Sequence, residues 1–151
     1  RVLTEALGLT FIGQEGHRYR YSTQSNEFGQ IIDIVHRPNA HSAQFGAGSI
    51  HHIAFRAQTD QQQLDFRAAV QHIGIPATEV IDRQYFHSVY FRTPGGVLFK
   101  IATDLPGFAT DEPLNALGQT LKLPAWFESR RAMIEQNLAP IDRNRKIAYV
   151  R

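Results

Sequence analysis

Short runs of alternating apolar and polar residues, interrupted by glycine, proline and polar turns, predict a chain built mostly of strands with one well-marked helix. Arg1 to Leu9 read as the last two turns of a helix that ends at Gly8, where glycine can take the left-handed terminating conformation. Three strand-like runs follow: Thr10 to Gly13, His17 to Tyr21 with aromatics on alternate positions, and Gln30 to Val35. Gln14-Glu15-Gly16 and Ser25-Asn26 supply the turns. A loop of small and polar residues from Arg37 to Gly48 leads to a strand over Ser49 to Arg56. Thr59, with Gln62 three residues on, is a capping-box pattern, and Leu64, Ala68 and their apolar neighbours continue a helix to His72, stopped by Gly74 and Pro76. Strands are then expected over Glu79 to Phe86, His87 to Arg92 and Val97 to Thr103, with Pro94-Gly95-Gly96 turning the last two.

The two halves rhyme. Helix end, glycine, strand, strand, turn, glycine and strand occur in Ala6 to Val35 and again in Val70 to Thr103. Gly96 precedes Lys100 by four residues, as Gly29 precedes Asp33 by four on the matching strand. The common unit is βαβββ, which makes the fold class α+β. Residues 1–36 read as a truncated first repeat, 37–48 as a linker loop, 49–104 as a second repeat, and 105–151 as a C-terminal loop and capping helix. The first copy lacks its opening strand and most of its helix, so roughly 15–20 residues are expected upstream. The C-terminal helix should begin at Pro124 and run from about Ala125 to Leu138, with Trp126, Phe127, Arg130, Ile134 and Leu138 forming a partly apolar stripe over the sheet. Arg130 and Arg131 are then mostly solvated.

Composition narrows the chemistry. The 151 residues are 42% hydrophobic, 11% aromatic and 20% charged, the balance of a globular protein with a real core. The absence of cysteine excludes disulfides, thiolate-bound zinc, iron–sulfur clusters and cysteine nucleophiles, and it fits a reducing cytoplasm. A net charge of +2 with basic residues scattered, apart from Arg130-Arg131 and Arg143, Arg145, Lys146 and Arg151, gives no basic face for nucleic acid. No apolar run is long enough to span a bilayer, and Arg1-Val2-Leu3-Thr4-Glu5 has no signal core, so neither membrane nor secretion is expected.

The residues that could carry chemistry lie on the predicted strands. His51 and His52 are neighbours on a strand, so their side chains should point to opposite faces, His52 with Ile50, Ala54 and Arg56, and His51 with Ile53 and Phe55. Ala54 leaves room beside His52 for a ligand. On spacing alone His52 is either a metal ligand or a hydrogen-bonded structural histidine. Lys100 is a lone charge among apolar residues, on the face of Leu98 and Ala102; it is either an edge-strand lysine that discourages pairing or a functional group. Arg83, Tyr85, His87 and Tyr90 could form a wall for an aromatic or anionic ligand, or ordinary surface pairs. His17, His36, His41 and His72 have no metal-ligand spacing.

Gly48-Ser49-Ile50-His51-His52-Ile53-Ala54-Phe55-Arg56, Asp82-Arg83-Gln84-Tyr85-Phe86, Val89-Tyr90-Phe91-Arg92 and Pro94-Gly95-Gly96-Val97-Leu98-Phe99-Lys100-Ile101-Ala102-Thr103-Asp104 together resemble the C-terminal module of ring-cleaving dioxygenases. These are hydroquinone-type members of the glyoxalase/bleomycin-resistance/dioxygenase, or vicinal oxygen chelate, superfamily. Leu123 to Arg131 is similar to that family's tail. The resemblance implies paired βαβββ units curled into a half-open barrel around Fe(II), sometimes Mn(II), held by two histidines and a glutamate, with positions free for a small aromatic substrate and dioxygen. By resemblance His52 is the metal ligand of this module, His51 stands near the substrate, and Tyr90 and Arg83 line the substrate site as catalytic groups. The other histidine belongs to an N-terminal module. Lys100 occupies the position of the family's glutamate. An ammonium about 4 Å from a dication is repelled by roughly 8 kcal/mol at an effective dielectric near 20. This chain is therefore expected to be incomplete or metal-deficient, and the alternative reading is a metal-free module for a small aromatic or anionic compound. Asp33, the repeat counterpart of Lys100, could offer a carboxylate to a rearranged site. Exposed strand edges predict a homo-oligomer.

Overall fold

The computed structural model describes residues 1–23, 30–41, 44 and 46–139; the Ser25-Asn26 turn, Gly29 and the basic residues from Arg143 onward lie outside them. The chain divides into two compact units, Arg1–Asp111 and Glu112–Arg151.

In the first unit a helical turn, Val2–Ala6, ends at Gly8, whose φ of 71° is the left-handed value glycine allows. Strands β1 (Thr10–Glu15), β2 (Arg18–Ser22) and β3 (Ile31–Val35) form an antiparallel meander in the order β1-β2-β3. A second sheet is made by β4 (Ile53–Ala57), β5 (Ile81–Asp82), β6 (Phe86–Arg92) and β7 (Leu98–Pro106), in the order β4-β7-β6-β5. Helix α1 (Asp60–His72) connects β4 to β5. The second sheet with its helix is thus a complete βαβββ unit in which the first strand pairs in parallel with the last. The architecture is α+β, with two sheets among the described residues and no closed barrel.

The N-cap half of the expected capping box forms, while the Gln62 side chain reaches back one residue beyond the cap. Thr59 Oγ1 accepts from the Gln62 N–H at 3.1 Å, while Gln62 Oε1 accepts from the Gln58 N–H at 2.7 Å. Alternation along β6 and β7 sends Val89, Phe91, Phe99 and Ile101 to one face, where all four are buried. Phe91, Phe99 and Ile101 form a core with Val70 of α1 and with Val2, Leu3 and Ala6 of the opening turn. Gln63 of α1 is buried with them, its Nε2 donating to the carbonyls of His87 at 2.9 Å and Ile101 at 2.8 Å. The opposite face of β7 is left for Lys100.

Several expectations need correction. β4 begins at Ile53, so His51 and His52 precede the strand. The strand expected over Glu79 to Phe86 shrinks to Ile81–Asp82, because Asp82 Oδ1 accepts from the Gln84 N–H at 2.7 Å and Gln84 takes a φ of 69°, a turn that ends pairing. β7 continues to Pro106, paired with Phe86 beyond an irregularity in register. Lys100 is on an interior strand between β4 and β6, so the edge-strand account of its charge fails.

In the second unit the expected Ala125 to Leu138 helix is two pieces. A 3₁₀ segment, Ala125–Arg130, follows Pro124 and leads into α2 (Arg131–Asn137), and neither contains a buried residue. Arg131 is not a free solvated charge: it pairs with Glu128 at 2.7 Å and Glu135 at 3.0 Å and donates to the Leu121 carbonyl at 3.1 Å.

Candidate functional site

The second sheet sets three side-chain positions by register alone. Ala54 pairs with Lys100, and Lys100 pairs with Tyr90, so one rung of the ladder crosses β4, β7 and β6. Lys100 is 7% exposed, and its Nζ stands 3.8 Å from the centroid of the Phe86 ring and 5.9 Å from that of Tyr90. His52 stacks edge-on against Tyr90, with centroids 5.9 Å apart and planes at 88°. Arg83 also lies over Tyr90, its Cζ 5.9 Å from the ring centroid and its Nη2 donating to the phenol oxygen at 3.5 Å, the outer limit of a hydrogen bond.

His51 and His52 do not point apart. Their Nδ1 atoms are 2.9 Å from each other, so one ring donates to the other and both side chains belong to the same cluster. The opposite-face expectation fails because these residues lie before β4, where the strict alternation of a paired strand does not hold. The structure thus brings His51, His52, Arg83, Tyr90 and Lys100 together. Tyr85 and His87 leave the expected wall: Tyr85 donates to Asp111 Oδ2 at 3.0 Å, and His87 Nδ1 meets Asp60 Oδ1 at 2.7 Å at the start of α1. Phe86, which carries the lysine, was not singled out by sequence. Its signal was its place two residues before Ser88 and four before Tyr90 on the same strand.

The cluster is positively charged. Burial, then the charges of Lys100, His51 and Arg83, hold the His52 imidazole below its ordinary pKa. Burial pushes the Tyr90 phenol up, but the hydrogen bonds of Arg83 and Ser88 and then the charges of Lys100 and Arg83 outweigh it, and the net direction is down. Nearby carboxylates are engaged elsewhere: Asp104 with Arg56 at 2.6 Å, Asp60 with His87, Asp111 with Tyr85 and Gln84. Among the described residues no carboxylate forms an ion pair with Lys100.

Asp33 does not provide one either. It pairs directly across the ladder with Arg20, which grips it through Nε at 2.8 Å and Nη2 at 2.9 Å, with Arg18 adding a contact at 3.3 Å. It lines a groove of about 780 Å³ with Ile32, Ile34, Val97 and Phe99, on the face of β7 away from Lys100. That groove is mostly apolar and holds none of the clustered residues.

The description of the Glyoxalase/Bleomycin resistance protein/Dioxygenase superfamily matches residues 2–101, and the chain belongs to that superfamily. It is 43% identical over 141 residues to MhqO of Bacillus subtilis (strain 168), named as a candidate ring-cleaving dioxygenase, covering 93% of this chain and 45% of that protein. It is 34% identical over 125 residues to a chlorohydroquinone/hydroquinone 1,2-dioxygenase of Sphingobium indicum, covering 77% of this chain and 37% of that protein. A crystal structure of a candidate dioxygenase from Bacillus subtilis superimposes with a TM-score of 0.84 at 43% identity, over 93% of this chain and 45% of that one. The chain spans less than half the length of these relatives.

The metal that the resemblance implies does not fit the residues present. Among the described residues no three histidine, aspartate or glutamate side chains form a group that could hold a metal ion, and the resemblance places one ligand outside these residues. By the resemblance this module has two ligand positions, His52 and that of Lys100, and the second carries an ammonium whose charge helps lower the His52 pKa.

Proposed function

We propose that residues 1–151 are the C-terminal half of a protein of ring-cleaving dioxygenase descent, whose intact relatives open a hydroquinone- or catechol-like ring with dioxygen at a non-haem Fe(II). In this chain Lys100 keeps that metal from binding. The observation that carries the reading is the cluster of His52, Tyr90 and Arg83 in a chain 34% identical to a hydroquinone dioxygenase. Within it, Tyr90 Oη and the Arg83 guanidinium hydrogen-bond a ring oxygen, His51 exchanges a proton through its bond to His52, and the Tyr90 ring packs against the bound ring. The second βαβββ unit supplies the substrate wall, and an N-terminal module supplies the rest of the site.

The test is anaerobic Fe(II) titration of the chain beside its Lys100→Glu variant, each with the N-terminal module added. Near-stoichiometric binding by the Glu variant alone supports the reading. Equal binding by both forms removes Lys100 from the metal shell, and binding by neither puts the metal-free binding module ahead.

The outer edge of β3 supports assembly with another chain. Among the described residues β3 pairs only with β2, and Ile31, Ile34 and Val35 are exposed along it. A concentration-independent monomer mass in light scattering would count against a homo-oligomer. Among the described residues no helix is long and apolar enough to cross a membrane.

A further inference from the structure

We infer that the Lys100 cluster is a binding site for a small aromatic carboxylate, a single ring whose charged group takes the Lys100 ammonium as its counter-ion. The inference takes up the site of the preceding proposal and rests only on its claim that Lys100 excludes the metal. It does not need the dioxygenase descent.

The first ground is an unbalanced charge. Lys100 is 7% exposed, it lies in the interior of a sheet, and no carboxylate among the described residues pairs with it. The contact with Phe86 at 3.8 Å is the largest compensation in view, and a ring face is a weaker partner than an anion. A buried cation without a counter-ion is stabilised by any anion that can reach it.

The second ground is the surroundings. Arg83 adds a second cation against the Tyr90 ring, and the histidine pair adds ring nitrogens rather than negative charge. An anion entering here meets two cations that share the Tyr90 ring and no carboxylate already held by Lys100.

The third ground is shape and ring chemistry. Phe86, Tyr90 and His52 place three ring systems around the ammonium, and Ala54, directly across the rung from Lys100, contributes only a methyl group on the β4 side. A planar ring can stack or pack edge-on against these walls while its charged substituent meets Nζ. A bare inorganic anion would use the charge and leave the rings idle.

The test is isothermal titration of the chain with benzoate, benzamide, cyclohexanecarboxylate and sulfate. Benzoate should bind at least tenfold more tightly than neutral benzamide of the same shape, and more tightly than cyclohexanecarboxylate or sulfate. Lys100→Met should remove the preference for benzoate over benzamide, and Lys100→Arg should keep much of it. Arg83→Gln, which leaves the interior of the sheet untouched, should weaken benzoate severalfold and so guards against a folding defect in the lysine variants. Equal binding of benzoate and benzamide, undiminished benzoate binding by Lys100→Met, sulfate binding as tight as benzoate, or no binding of any probe would each overturn the inference. Fe(II) binding by Lys100→Glu bears on the preceding proposal instead, so the two can fail separately.

Discussion

The Lys100 ammonium rests 3.8 Å from the centre of the Phe86 ring, on a strand whose other face, through Phe99 and Ile101, forms the core of the fold. The two residues are far apart in register. Phe86 pairs with Pro106 at the end of β7, whereas Lys100 pairs with Tyr90. The lysine stem therefore reaches along the sheet rather than straight out of it, and the ring it reaches replaces part of the water its charge has lost.

That contact predicts a measurable coupling. Phe86→Leu should cost about 0.5–2 kcal/mol of stability in the wild-type chain and clearly less in a Lys100→Met background, where no charge faces the ring. Lys100→Met alone should be neutral or stabilising by about 1 kcal/mol or more, since it removes a buried charge without a counter-ion and keeps the length of the side chain. Urea unfolding of the four proteins of the cycle measures both. A coupling of zero would mean that the ammonium is solvated away from the ring.

His52 provides a spectroscopic reading of the same charge. Burial is the largest cause of its lowered pKa and Lys100 the next. Removing the lysine charge makes the imidazolium easier to form, so Lys100→Met should raise the His52 pKa toward the ordinary histidine value while burial keeps it short of that value. A proton NMR titration of the His52 ring follows the change directly. An unchanged or lower value would separate Lys100 from His52.

Much of this arrangement was legible in the sequence, for identifiable reasons. The helix cap at Thr59 and Gln62 and the alternation along Val97 to Thr103 are local rules, and they hold where a helix or a paired strand enforces them. The positions of His51 and His52 were misjudged because strand alternation was extended past Ile53, where pairing begins. Lys100 looked like an edge residue because strand order is not local. Only the parallel pairing of β4 with β7 puts it in the interior. The tertiary partners of Tyr85 and His87, Asp111 and Asp60, lie 26 and 27 residues away, beyond any periodicity argument.

Gln63 carried no sequence signal beyond its place in the helix, yet it ties α1 to the sheet. Its Nε2 donates to the carbonyls of His87 and Ile101, next to the register shift between Phe86 and Ser88. Gln63→Leu leaves both carbonyls without that donor and should destabilise the fold by about 1–3 kcal/mol. Gln63→Glu should cost more, because an ionised carboxylate there faces two carbonyl oxygens. The order of the two variants in urea midpoint checks the geometry: a glutamate variant as stable as the leucine one would show that the carbonyls are satisfied by other means.

Asp33 sets the last prediction, because its pairing depends on its charge. The hydrogen bond from Arg20, opposed by burial and assisted by Arg18, lowers its pKa from 3.8 to about 2. A carboxylate whose folded pKa is depressed adds stability that is fully present above its unfolded value and is lost as pH falls toward its folded value. The wild-type chain should therefore lead Asp33→Asn in urea midpoint at neutral pH, and that lead should shrink as pH falls from 3.8 to about 2. The comparison must be a difference between the two proteins, since Asp104, Glu5 and Glu128 are also held below their ordinary values by arginine partners and titrate in both. A lead that stays constant across this range would mean that Arg20 and Arg18 hold the residue by shape alone, and that the carboxylate was free to serve another partner.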